Sequence, residues 1–307
     1  MARYLVKRLL AAALTLLVAA FATSTLVHLV PGDPVAMMAA QSGEATPELL
    51  AEIRQRLGLD QPVWRQSLNF VLGVAQGDLG TSLFGREPVL DLLLYRLPNT
   101  LALAAAGLAI ACLIGLPLGF LAAYHKGRWI DSLVMVIAIT GVSIPNFWLG
   151  LMLLIVFSQI LGLLPVAGYG WRSMVLPAAT LGFTYSAIIA RMTRSAMIDV
   201  LSEDFIRTAR AKGLPEALVI YRHALKPALI SVVTIIGLIF GFLMGGSVIV
   251  ENIFSWNGIG RLAVQAMLQR DYPLVQGFML MFAAIIIVVS VVIDLLYAVL
   301  DPRITYG

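Results

Sequence analysis

The sequence predicts an all-α integral membrane protein with six transmembrane helices and a small helical cap between the first and second spans. Composition is the first reason, because the 307 residues are 60% hydrophobic and only 12% charged. A soluble domain of this length carries about twice that charged fraction. The second reason is that several apolar runs of about 20 residues are long enough to cross a bilayer as helices.

Six apolar runs are the candidate spans. They lie at residues 9–30, 99–123, 130–160, 175–197, 228–250 and 275–299. The first run follows a basic flank, as a signal peptide does, but it is long for a signal core and no small-residue cleavage site follows it. We interpret it as a retained span. Six spans place both termini on one side.

The basic residues between the spans predict the orientation. With the N-terminus inside, the inner segments hold 13 of the 21 Lys and Arg residues, and the longer outer segments hold 8. The positive-inside rule then predicts that the N- and C-termini are both cytoplasmic. The same distribution explains the net charge of +4, so no nucleic-acid partner is expected.

The outer connection, residues 31–98, is too long for a turn and predicts a small cap of short helices. A first helix is expected to begin at Pro47 and to end at Gly58, because proline favours the first helical position and glycine favours the stop. A second is expected within 60–77, and a third from Pro88 that leads into the second span.

The third run is too long for one upright helix and has the sequence Ser-Ile-Pro-Asn at 143–146 near its middle. Proline removes a backbone donor and frees a carbonyl, so a break or kink is expected there. Two interpretations remain open: a discontinuous helix with a functional role, and a kink that serves only packing.

The connection between the fourth and fifth spans is rich in helix signals. Ser202 is a predicted N-cap, acidic residues follow it, basic residues come toward the end, and Gly213 supplies a stop. The predicted helix is therefore 202–213, and Pro215 opens a second helix into the fifth span. So short a helix is not stable alone in water, so it is expected to dock on the bilayer surface or on a partner protein.

The predicted helix 202–213 has two groups of residues suited to docking. Phe205, Ile206 and Ala209 are expected to share one face, while Thr208, Ala209 and Ala211 are small enough for another backbone to approach closely. From these patterns alone, the bilayer surface and a partner protein remain equally open.

Ordered motifs run through nearly the whole chain. They read YLVKRLL, LVPGDP, LGLDQP, GDLGTS, RMTRSAMIDVLSEDFIRTARAKG, RHALKPALI, VIVENIFSWNGIGR, RDYPLVQ and DLLYAVLDPRI. These motifs closely resemble the oligopeptide, dipeptide and nickel permease family of type I ABC importers. The resemblance implies the six-helix type I fold, with residues 1–95 as the first helix and outer cap and residues 96–301 as the transmembrane type-1 domain.

In that family the loop after the fourth span is the coupling helix, which sits in a cleft of the ATP-binding subunit. The resemblance assigns this contact to Phe205, Arg207, Thr208, Ala209, Arg210, Ala211, Lys212 and Gly213. The family's motif glutamate appears here as Arg207 or Thr208, depending on the alignment. Pro145, Asn146 and Glu251 are candidate residues of the translocation pathway, with a structural role as the alternative for Glu251.

The resemblance also implies the partners. They are a second homologous permease subunit in a heterodimer, two ATP-binding subunits, an extracytoplasmic substrate-binding protein and membrane lipid, all at a bacterial inner membrane. No glycine-rich lysine loop of the Walker type occurs in the sequence, so ATP and magnesium are expected in the partner subunits and no cofactor in this chain.

The implied substrate is a di- or oligopeptide, with nickel, glutathione and opines as alternatives in the same family. Two other classes are less well supported. A secondary transporter needs paired membrane carboxylates or an inverted repeat, and a membrane enzyme needs a catalytic cluster; neither is evident. His28, His125 and His223 are scattered and Cys112 is the single cysteine, so no metal site is expected.

Overall fold

Apolar runs become helices because a helix satisfies its backbone hydrogen-bonding groups within its own segment, as a bilayer requires. The computed structural model describes residues 2–27, 35–37, 47–56, 58–168 and 170–300. In chain order the helices are α1 (Ala2–Val27), α2 (Pro47–Arg56), α3 (Val63–Ala75), α4 (Val89–Tyr124), α5 (Trp129–Ser143), α6 (Asn146–Leu154), α7 (Trp171–Leu201), α8 (Asp204–Ala211), α9 (Glu216–Leu218), α10 (Leu225–Ile253), α11 (Ile259–Gln269) and α12 (Tyr272–Leu300). Two π-helical segments, Ile155–Ile160 and Val219–Ala224, extend α6 and join α9 to α10.

Within the described residues, five helical segments are long and apolar enough to cross a membrane. They are Lys7–Val27, Val89–Tyr124, Trp171–Leu201, Glu216–Ile253 and Tyr272–Leu295. The pair α5 and α6 makes a sixth span when it is taken as one broken helix, bent by 94°. The prediction of an all-α membrane protein with six spans is confirmed, and so is the break at Ser-Ile-Pro-Asn.

The outer cap differs from the prediction at its third helix. Helices α2 and α3 lie where two short helices are expected, and Gly58 and Gly77 end them with φ of +67° and +80°. The expected third helix and the second span are instead one continuous helix, α4, of 36 residues. Pro98 does not break it, and the expected boundary at 95/96 falls inside it. Membrane helices tolerate proline where their neighbours satisfy the freed backbone group.

The described residues divide into two compact units. The first contains residues up to Thr100 together with Asn257–Val291, and the second contains Leu101–Trp256 together with the residues from Val292 onward.

The buried side chain of Asp271 holds the first unit together. Its carboxyl oxygens accept hydrogen bonds from Ser82 Oγ at 2.5 Å and from the Leu83 amide at 3.2 Å. A third bond, from the Leu274 amide at 3.3 Å, caps the start of α12. One side chain therefore ties the loop after α3 to the junction of α11 and α12.

Replacement of Asp271 by alanine is expected to destabilise the first unit by about 3 kcal/mol, because three donors lose their shared acceptor in a buried site. Limited proteolysis and thermal unfolding of the detergent-purified chain measure this loss. Asp91→Ala is the matched control, since Asp91 is an exposed acid in the first turn of α4. Equal stability of the two variants would contradict this role for Asp271.

Glycines allow α4 and α7 to pack closely in the second unit. A Cβ atom at Gly115 would lie 2.6 Å from the Ser186 carbonyl oxygen, and one at Gly119 would lie 2.6 Å from Thr193 Cβ. From the other side, a Cβ at Gly182 would lie 2.5 Å from Ile110 Cγ2. Small residues at a helix interface let backbones approach in lipid, where packing replaces the hydrophobic effect as the driving force.

Candidate functional site

The segment after α7 contains the residues that the sequence singles out. Helix α8 has eight residues, Asp204–Ala211, and is shorter than the expected 202–213. The prediction that Ser202 caps it is wrong, because Ser202 Oγ donates to the Asp199 carbonyl at 2.7 Å and so belongs to the end of α7. Glu203 takes the N-cap position without a side-chain bond. Gly213 ends the segment as expected, with φ of +74°.

One face of α8 is buried in the chain's own core. Ile206 is fully buried and Ala209 is 6% exposed. They pack in a cluster with Ala123, Met197, Val219, Ile220, Ala224 and Ala228. The short helix is therefore held from behind by α4, α7 and the start of the fifth span, and this packing supplies the docking that its length requires.

The rest of the α8 surface is open to solvent. Phe205 is 46% exposed, so it lies at the edge of the face formed by Ile206 and Ala209 and is not buried with them. Phe205, Thr208 and Lys212 are spaced three and four residues apart and form one exposed stripe, which we call the outer face of α8. The other exposed residues of α8 are Asp204, Arg207, Arg210 and Ala211. Ala209 does not reach this surface because it packs inward.

An ion pair closes the bend after α8. The Arg210 guanidinium donates to Glu216 through Nη2 at 2.6 Å and through Nε at 3.1 Å, across the turn at Gly213. This hydrogen bonding raises the pKa of Arg210. Both side chains are nearly half exposed, and exposed pairs stabilise little. The pair therefore sets the angle of the bend more than it adds stability, and it occupies the guanidinium that was expected to face a partner.

The broken span is the second part of the site. Helix α5 ends at Ser143, Ile144 and Pro145 are extended, and α6 starts at Asn146. Thr184 Oγ1 of α7 donates to Asn146 Oδ1 at 2.6 Å. The structure thus brings Asn146 onto α7, while Pro145 stays exposed.

Glu251 lies elsewhere than expected. It is within the last turn of α10 rather than after the span, and its side chain is fully buried. Its backbone carbonyl accepts a hydrogen bond from the Trp256 amide at 2.8 Å and closes the turn that follows. This geometry favours the structural alternative for Glu251.

Sequence reasoning missed an ion pair between α5 and α7. Arg194 Nε and Nη2 donate to the two carboxyl oxygens of Asp131 at 2.5 and 2.7 Å. A signal was available, because an ionisable residue within a membrane helix indicates function by default. Among the described residues, no group of three or more His, Cys, Asp and Glu side chains is arranged to hold a metal ion.

Comparison with protein families gives two matches that together cover almost the whole chain. The model described as "Binding-protein-dependent transport system inner membrane component" matches residues 115–306. The model described as "Binding-prot-dependent transport system membrane comp, N-term" matches residues 1–104.

Similar proteins and structures agree with these matches. The chain is 45% identical to the glutathione transport system permease protein GsiC of Salmonella typhimurium and 43% identical to GsiC of Escherichia coli strain K12, over the full length of each pair. It shares its fold with a chain of the inward-facing MetNI methionine ABC transporter, at TM-score 0.60 and 19% identity over 68% of this chain and 96% of that one. A chain of an amino acid ABC transporter gives TM-score 0.52 and 19% identity, over 70% and 94%.

Proposed function

The chain belongs to the family of binding-protein-dependent transport system inner membrane components, and from that premise we propose that it imports glutathione or a peptide of similar size. It is a permease subunit of an ABC importer with the type I fold, and a multi-pass protein of the bacterial inner membrane. The observation that supports this substrate is the 45% identity, over the full length, to permeases of glutathione transport systems. Glutathione is itself a tripeptide, so it fits the peptide class that the motifs imply.

Energy enters, in this proposal, at the outer face of α8. A separate ATP-binding subunit docks on Phe205, Thr208 and Lys212, which are exposed on a helix held rigidly from behind. The bend closed by Arg210 and Glu216 presents this face at a set angle. Ala209 contributes by packing inward, and Gly213 by ending the helix.

The path from α8 to the substrate runs through α7. Only Ser202 and Glu203 separate the two helices, so a displacement of α8 moves the end of α7. Helix α7 in turn contacts the break of the third span through Thr184 and Asn146. Because of this contact, we assign Pro145 and Asn146 to the region that changes conformation during transport.

The remaining parts of the assembly follow from the family. A second homologous permease subunit completes the transmembrane pair, two ATP-binding subunits act on it from the cytoplasm, and a binding protein delivers substrate from outside. The excess of basic residues in the segments that include α8 supports a cytoplasmic position for α8 and for both termini.

Uptake in the strain that encodes the chain tests the substrate. Deletion of the chain is expected to abolish energy-dependent uptake of radiolabelled glutathione, and re-expression of the chain restores it. Dialanine and Ni²⁺ are measured in parallel as probes of the two other substrate classes. If the deletion strain takes up glutathione normally but no longer takes up dialanine or Ni²⁺, glutathione is not the substrate and the lost probe identifies the substrate class.

A further inference from the structure

Asp131 and Arg194 form a two-point contact between α5 and α7. The planar guanidinium meets both carboxyl oxygens, at 2.5 and 2.7 Å, across 63 residues of sequence. The Asp131 side chain is 7% exposed and that of Arg194 is 28% exposed. A bidentate pair of this kind fixes orientation as well as distance, which a lysine cannot do.

The same carboxyl group also holds the turn before α5. Asp131 Oδ2 accepts the Gly127 amide at 3.0 Å, and Gly127 has the left-handed φ of +77° that this turn requires. Asp131 therefore ties the junction of α4 and α5 to α7 at one point.

A second polar contact holds α7 to the same span at its break. Thr184 bonds Asn146 at 2.6 Å, and it lies ten residues before Arg194, about 15 Å along the helix. Arg194 itself lies seven residues before the end of α7, about 10 Å from the start of the α8 segment. Helix α7 is thus attached to the broken span near both the coupling end and the break.

Stability alone does not account for the Asp131–Arg194 pair. The desolvation free energy of the two charged groups offsets much of their electrostatic attraction. A protein with apolar residues of similar size in place of such a pair is often equally stable. The pair does restrict the relative position of α5 and α7, because two parallel hydrogen bonds fix both distance and orientation.

We propose that Asp131 and Arg194 are positioning residues of the transport cycle, which lock α5 to α7 so that a movement of α8 reaches the break at Pro145. This proposal rests on the proposed function, since it assumes that α8 receives the energy of ATP hydrolysis. Without the pair, α7 moves with α8 while α5 lags behind, and ATP is hydrolysed with less transport.

The test uses the complete complex, reconstituted in proteoliposomes, with the substrate-binding protein added. Two variants are compared with the wild type. D131L/R194M replaces the pair with apolar residues of similar size, and Arg194→Lys keeps the positive charge but cannot form the bidentate contact. For each, thermal unfolding is measured together with the number of molecules imported per ATP hydrolysed. The probe is glutathione, or dialanine or Ni²⁺ where the wild type imports that instead.

Arg194→Lys is expected to keep the wild-type unfolding temperature, and D131L/R194M is expected to lower it by a few degrees because the Gly127 amide loses its acceptor. Both variants are expected to keep ATP hydrolysis, while import per ATP falls about fivefold or more. An unchanged import ratio in Arg194→Lys would overturn the proposal. So would a D131L/R194M chain that fails to fold, because the pair would then be structural. Thr208→Trp on the outer face of α8 is measured beside them: if it hydrolyses ATP and imports normally, the proposed role of α8 fails, whatever the pair does.

Discussion

Replacement of Gly119 by leucine is expected to prevent the chain from reaching its folded state in the membrane. A Cβ at this position would meet the Ala190 carbonyl and would lie 2.6 Å from Thr193 Cβ. Neither neighbour is the flexible end of a side chain, so α4 and α7 would have to separate along their whole contact. We expect a loss of more than about 3 kcal/mol of unfolding free energy.

Ala109→Leu on the same helix is the matched control, because Ala109 is exposed. The amount of monodisperse chain extracted in mild detergent reports folding for both variants. We expect a large loss for Gly119→Leu and almost none for Ala109→Leu. Equal recovery would contradict the close packing of α4 on α7.

Replacement of Thr208 by tryptophan is expected to abolish transport while the chain folds normally. Thr208 is exposed in the middle of the outer face of α8, and its Oγ1 donates to the Asp204 carbonyl one turn back, so the ring replaces one exposed hydrogen bond and displaces no packed side chain. A bulky group at the centre of a packed interface excludes the partner, and we expect ATP-driven uptake to fall at least about tenfold. Uptake and ATP hydrolysis of the reconstituted complex measure the effect.

The inner face of α8 supplies the control for this variant. Ile206→Ala removes a fully buried side chain from the cluster around Met197 and Val219 and is expected to lower stability by about 3 kcal/mol. The two variants thus separate docking from folding. Thr208→Trp is expected to lose transport while the amount of folded chain stays normal, and Ile206→Ala is expected to reduce the amount of folded chain. Normal uptake by Thr208→Trp would contradict the assignment of the outer face.

The membrane helices and the break at Pro145 follow from local chemistry, and for that reason they could be predicted. A bilayer needs long apolar helices, and a proline in the middle of a run removes a hydrogen-bond donor. The junction of the cap with the second span was harder to predict. Pro88 is a good helix start on local grounds, but nothing near Pro98 shows that the helix that begins at Val89 continues unbroken through the second span.

Within α8, the sequence predicted the helix and its stop but not which face is buried. Ile206 and Phe205 are both apolar neighbours, and only the cluster formed by α4, α7 and the fifth span decides that Ile206 turns inward. Ser202 is a good cap on local grounds, yet it bonds back to α7. Such choices depend on contacts distant in sequence.

The pair of Asp131 and Arg194 shows the same limit. Each is recognisable alone as a charge within a membrane helix, but their partnership spans 63 residues and is visible only in the structure. The glycine contact of α4 is easier to predict from the sequence. Small residues recur every four positions at 107, 111, 115 and 119, a spacing that is typical of close helix packing in membranes.

Site-specific photocrosslinking tests most directly the claim that a separate ATPase drives this chain through α8. A photoreactive phenylalanine derivative is placed at position 208, or at the exposed position 109 of α4 as the control, in the assembled complex. We expect position 208 to capture a subunit whose sequence, read by mass spectrometry, contains a glycine-rich nucleotide loop, and we expect position 109 not to capture it. Failure to capture such a subunit at position 208, in a complex that still transports, would contradict it.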